Sequence, residues 1–297
     1  MATAPDRLLR RLEWRVVRRL DGRLQGAYRT THRGSGVDIT SLRAYAEGDD
    51  ARHIDWNATA RLDEPVVREF VEDRELTTWL VLDRSASMVA GAPDRGKADV
   101  LTELALVLAR LLGRGGNRVG AILYDTGAGA GTVRVVPPAT GRDQALRIGA
   151  ELERTATPAR GATTDLAAML DTAASLARRR SLVVVVSDLI GIGDWERPLM
   201  RLARRHEVVA LRVVDAVDDG LAEAGLIVVE DAETGEQLVV DSSDPLFQVQ
   251  LRTAVGERDA ALESGMRRAG VPAYRIPTDR DLVEALVDVV ARTRWRT

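Results

Sequence analysis

Asp83-Arg84-Ser85-Ala86-Ser87 gathers one carboxylate and two hydroxyls within five residues. These are oxygen donors only, the kind a hard cation such as Mg2+ prefers, with Mn2+ and Ca2+ as alternatives of similar chemistry. The apolar run at residues 79–82 leads directly into the motif and reads as a buried strand, followed by turn residues and helix-forming sequence. In an open α/β sheet, ligands bind outside the carboxyl ends of the strands, so the motif predicts a cation site there. Two other segments offer donors of the same type. Gly161-Ala162-Thr163-Thr164-Asp165-Leu166 precedes a helical pattern, where a threonine serves as a ligand or as the helix cap. The strand-like run 181–187 ends in Asp188. Asp83, Ser85, Ser87, a threonine and Asp188 would then meet at the top of neighbouring strands. The competing reading is that these residues only cap helices and close turns.

Such convergence needs a sheet whose strands run the same way. From residue 76 onward, strand-like and helix-like runs alternate. Strands are expected at 76–82, 118–124, 132–136, 181–187, 208–214 and 273–276, and helices at 95–113, 141–154, 164–179, 194–205, 245–269 and 279–293. This alternation predicts an α/β fold, a doubly wound, mostly parallel sheet flanked by helices. The 132–136 strand is expected to be antiparallel, because the Gly-rich turn before it is too short for a crossover helix. Residues 226–229 and 237–240 read as a hairpin turned by Thr234-Gly235. The predicted organisation is an amphipathic basic helix at 1–27, a small β-rich module at 28–75 and the α/β domain at 76–297. In the first, Leu8, Leu9, Leu12, Val16, Leu20 and Leu24 fall at helical spacing between arginines, which fits packing on the domain and leaves membrane contact open.

Composition narrows the function. At 297 residues and 45% hydrophobic content the chain can bury a sizeable core. A net charge of -3 and 4% aromatics argue against nucleic acid as a partner. With no cysteine, disulfides, thiol catalysis and Cys-based metal sites are excluded. No signal-peptide pattern and no membrane-length apolar run are visible, so a cytoplasmic location is expected. Lys97 is the only lysine in an arginine-rich chain, a bias that reads as genomic composition. The chain has three histidines but no Gly-x-Ser-x-Gly elbow, and no Walker sequence occurs. Residues 127–131 precede a strand and read as a flexible turn; Asp215, Asp218 and Asp219 read as a solvated acidic loop.

The three donor segments, in order, resemble the metal-ion-dependent adhesion site of the von Willebrand factor A domain. That resemblance implies Ser85 and Ser87 as direct ligands of Mg2+, Thr164 as the third, and Asp83 and Asp188 completing the shell. Thr164 is preferred to Thr163 because the family's threonine precedes a leucine by six residues, which fits Leu170. A second block is similar to the bacterial family catalogued as domain of unknown function 58. It comprises Gly34-Ser35-Gly36-Val37-Asp38, Leu42-Arg43-Ala44-Tyr45, Gly48-Asp49-Asp50-Ala51-Arg52-His53-Ile54-Asp55-Trp56 and Ala60-Arg61. That family implies a MoxR-type AAA+ ATPase as partner and chaperone-like or assembly work. Within the block, Arg43, Arg52 and Arg61 alternate with Asp38, Asp49, Asp50 and Asp55, enough for a buried ion-pair network, and Trp56 reads as a core anchor.

Three functions follow as expectations. The first is a non-enzymatic, Mg2+-dependent adaptor whose cation takes an Asp or Glu from a client protein. The second is a metal-dependent hydrolase, for which Asp165 is the nearest candidate base in sequence. The third is a metal-free structural adaptor.

Overall fold

The computed structural model describes residues 33–46, 49–71, 77–89, 95–125, 132–154, 164–191 and 193–292. The expected helix at 1–27, His32, Gly48, the Gly-rich turn at 127–131, Thr163 and the C-terminal Arg294-Trp295-Arg296 lie outside them. The described residues fall into two compact units, one between Arg19 and Glu75 and the other between Leu76 and Thr293.

The smaller unit pairs β1 (Arg33–Ala44) with β2 (Val66–Val71) in antiparallel register. Pro65 stands just before β2, where its missing N–H costs nothing, and its carbonyl accepts from Tyr45 N. Helix α1 (Trp56–Leu62) is capped by Asp55, whose carboxylate accepts from the amides of Asn57 and Ala58. It buries Ala58 alone, so Trp56 is 68% exposed and is not the core anchor expected. At the first position of a two-turn helix, the indole projects away from the one face that packs. The expected buried ion-pair network is also corrected. Arg43 grips Asp49 in a half-buried fork and Arg52 pairs with Asp50 at the surface, while Asp55 serves as a cap.

The larger unit is built on a six-stranded sheet, ordered β10-β7-β6-β3-β4-β5. Its strands are β3 (Thr77–Arg84), β4 (Arg118–Asp125), β5 (Thr132–Ala139), β6 (Leu182–Ser187), β7 (Glu207–Val214) and β10 (Ala273–Pro277). All pairs are parallel except β4–β5. β3, β4 and β6 are buried on both faces, which is why they read as continuous apolar runs in sequence. β5 lies at the edge, where Pro137 and Pro138 are tolerated and carry the strand beyond its expected end.

Between the strands run α2 (Ala86–Val89), α3 (Lys97–Leu112), α4 (Arg142–Glu153), α5 (Leu166–Leu176), α6 (Glu196–Arg205), α7 (Ala216–Asp219), α8 (Pro245–Ala269) and α9 (Leu282–Arg292). Trp79, Val81, Ile122, Tyr124, Val183, Val185 and Val208 form one core face with Leu166, Met169 and Leu170 of α5, Leu199 and Leu202 of α6, and Leu262 and Met266 of α8. Helix α3 packs against β3, β4 and β7. The ends of α8 follow directly from sequence: Asp244 caps it, Pro245 opens it, and Gly270 closes it in the left-handed region. The expected hairpin is present as β8 (Leu226–Glu230) and β9 (Gln237–Asp241), a separate two-stranded sheet.

Chain order fixes where a ligand would go. From β3 the sheet grows outward through β4 and β5, then resumes on the other side with β6, β7 and β10. The direction reverses between β3 and β6, and a crevice opens at such a switch point, outside the carboxyl ends. Asp83 is the last residue but one of one flanking strand, and Asp188 follows the other.

Candidate metal centre

Asp83 is fully buried, and neutral donors hold its carboxylate. Oδ1 accepts from Ser85 N at 3.0 Å, and Oδ2 accepts from the Ser187 hydroxyl, which spans the gap between β3 and β6. The chain turns here into α2, with the amides of Met88 and Val89 donating to Ser85 O. That turn brings Ser85 Oγ and Ser87 Oγ to 3.0 Å, both buried.

Asp188 is also buried. Its Oδ1 accepts from Ile190 N, and its Oδ2 accepts from Lys97 Nζ at 3.0 Å. The loop is tightly made: Leu189 N donates to Ser187 Oγ, and Leu189 itself sits at φ 58. A leucine in the left-handed region carries backbone strain, here at the residue after a site carboxylate.

Two buried carboxylates in one crevice repel. Burial, and then the charge of Asp188, push the Asp83 carboxyl from 3.8 up to about 7. Burial works against the charge on Lys97, but Asp188 and Asp218 outweigh it and hold its pKa above the ordinary value. The ammonium therefore offsets Asp188, while the hydrogen bonds to Asp83 come from uncharged groups. Asp83, Ser85 and Ser87 offer an oxygen-only donor set with Asp188 facing it, and a hard dication fits that chemistry. It would relieve the repulsion that raises Asp83. Among the described residues no three His, Cys, Asp or Glu side chains converge as a metal-binding group. Two carboxylates supplemented by hydroxyls are the whole of this set.

Thr164 is placed differently. It is fully buried and packs on Gly191, where an added Cβ would lie 2.5 Å from Thr164 O. This puts it against the loop that carries Asp188. Its hydroxyl donates to Glu233 Oε1 and its amide to Glu233 Oε2 at 2.9 Å. Asp165 caps α5, accepting from Ala168 N, and Leu170 is a core residue.

Sequence reasoning missed Ser187, Lys97, Asp218 and Glu233. Ser187 carried a signal in its place beside Asp188, and Lys97 in being the single lysine. The acidic loop is corrected too. Asp215 is buried, Asp215 N donates to Asp218 in a capping interaction on α7, Asp218 pairs with Lys97, and Asp219 pairs with Arg275. Lys97, distant in sequence and so beyond a linear reading, draws Asp218 in, while Asp219 meets Arg275 at the surface.

The chain is 38% identical over 290 residues to an uncharacterised protein from Mycobacterium bovis, covering 96% of this chain and 89% of that relative. Among solved structures it is similar to an aerotolerance-related membrane protein from Bacteroides fragilis, at a TM-score of 0.45 and 13% identity, covering 73% of this chain and 97% of that one. The SpRpn10 VWA domain aligns at a TM-score of 0.41 and 13% identity, covering 75% and 97%. The sheet order described above, with Asp83 and Asp188 beside its switch point, is that of a mostly parallel α/β sheet flanked by helices. A family model described as protein of unknown function DUF58 matches residues 41–261, and the chain belongs to that family.

Proposed function

We propose that this protein is a non-enzymatic, Mg2+-dependent interaction protein that works beside a MoxR-type AAA+ ATPase in the cytoplasm. One observation carries the reading: Asp83, Ser85 and Ser87 come together at the switch crevice between β3 and β6 as a buried, oxygen-only donor set. Mg2+ held there would keep exchangeable positions, since it dehydrates reluctantly and takes few protein ligands. A carboxylate from a client's Asp or Glu is the natural occupant of one such position. The ATPase partner rests on the family resemblance of the 34–61 block. Asp165, the base that a hydrolase would need, is used as the N-cap of α5.

The test is retention of the MoxR-type ATPase of the same organism on immobilised full-length protein, with Mg2+ and then with chelator. Retention should depend on Mg2+ and be lost in Ser85→Ala, with circular dichroism unchanged. Equal retention in chelator would overturn the reading. One observation favours a second, metal-free adaptor: Lys97 already brings a positive charge to Asp188. In that case Ser85→Ala binds like wild type and Lys97→Met does not.

A further inference from the structure

The contact between Thr164 and Glu233 is not explained by the fold of either segment. Glu233 belongs to the turn of the β8–β9 hairpin, yet it is 8% exposed and both its oxygens are spent on Thr164. The turn is built to present it. Asp231 Oδ1 accepts from Glu233 N, Thr234 N and Thr234 Oγ1, and Gly235 follows at φ 74. At the other end the hairpin is fastened by Ser242, whose hydroxyl donates to Gly225 O, and by Gln248, which donates to Ser242 O. Between these anchors Leu226, Val228 and Val239 are exposed, so little apolar burial holds the strands down.

A threonine hydroxyl has one proton and two lone pairs. Once the proton is committed to Glu233, the lone pairs are left for another partner. Outer groups that take a ligand's proton fix its orientation and raise its basicity. We propose that Glu233 is a positioning residue for the candidate cation site: it acts through the Thr164 hydroxyl and ties the β8–β9 hairpin to cation occupancy. This rests on the cation site proposed above, with Thr164 taken as its third ligand. By linkage, a cation that favours the gripped threonine must also favour the docked hairpin turn.

The experiment is Mn2+ titration calorimetry on the full chain for wild type, Glu233→Ala, Glu233→Gln, Thr164→Ala and the Glu233→Ala/Thr164→Ala double variant. Ser85→Ala serves as the site control. Glu233→Ala should weaken Mn2+ binding roughly 10- to 100-fold. The double variant should be no weaker than Thr164→Ala alone, because the carboxylate acts through that hydroxyl. Glu233→Gln keeps the size but turns an NH2 toward one of the two donors, and should fall between wild type and Glu233→Ala. Amide exchange at residues 231–237 should slow when Mg2+ is added to wild type. Glu233 variants that bind Mn2+ as tightly as wild type, or more tightly, overturn the proposal, as do losses that multiply in the double variant. If wild type itself takes up no Mn2+, the cation site fails first. If wild type binds, Ser85→Ala does not and Glu233→Ala is unchanged, only the role of Glu233 fails.

Discussion

Lys97 holds its ammonium 3.0 Å from Asp188 and 2.9 Å from Asp218, with its side chain 5% exposed. A compact point charge suits this place, since the wider guanidinium fork of arginine needs more room and more acceptors. Removing one partner of a buried ion pair strands the other, at a cost of about 3–5 kcal/mol. Lys97→Met, similar in length, should therefore lower stability in urea unfolding by about that amount, and Lys97→Arg should not restore it. A Lys97→Met variant as stable as wild type would show that Asp188 and Asp218 do not depend on the ammonium.

Asp83 sets a pH dependence whose sign can be derived. Its carboxyl is raised from 3.8 to about 7 in the folded chain. Between those values the native state keeps a proton that the unfolded state has lost. The stability this group contributes is present below pH 3.8 and is lost as pH rises through 7. Compared in chelator, wild type should lose a few kcal/mol relative to Asp83→Asn between pH 4 and 7, where each pK unit is worth about 1.4 kcal/mol. Added Mg2+ should remove most of that loss. A wild-type-minus-variant difference that stays flat over this window contradicts the burial argument.

Gly191 allows the close approach of Thr164. A Cβ there would stand 2.5 Å from the Thr164 carbonyl oxygen, a backbone atom that no side-chain rotation can move. Gly191→Ala should displace the Thr164 segment and cost about 1–3 kcal/mol, the usual range for overpacking. Thermal unfolding reads the stability change, and faster exchange of the Thr164 amide reads the displacement. Wild-type values of both would mean that the loop shifts freely.

How far the site could be read from sequence depended on distance along the chain. Asp83, Ser85 and Ser87 were legible because a strand buried on both faces announces itself as an apolar run, and its end marks the ligand edge. Asp188 was legible for the same reason after β6. Trp56 was misjudged because a large aromatic residue suggests burial, whereas α1 is too short to bury more than Ala58. Glu233 was invisible. It lies 69 residues from Thr164 and reaches it through a hairpin whose own pattern says nothing of where its turn docks. Lys97 was visible but attributed to composition, although its being the single lysine was itself the clue.

The proposed function stands or falls on whether the crevice between β3 and β6 takes a hard dication. Calorimetric titration of Mg2+ into the full chain at pH 8, where Asp83 is ionised, measures this without any partner. Saturable binding at one site per chain is expected in wild type, and none in Ser85→Ala. No heat beyond dilution in wild type, or the same binding in Ser85→Ala, would contradict it.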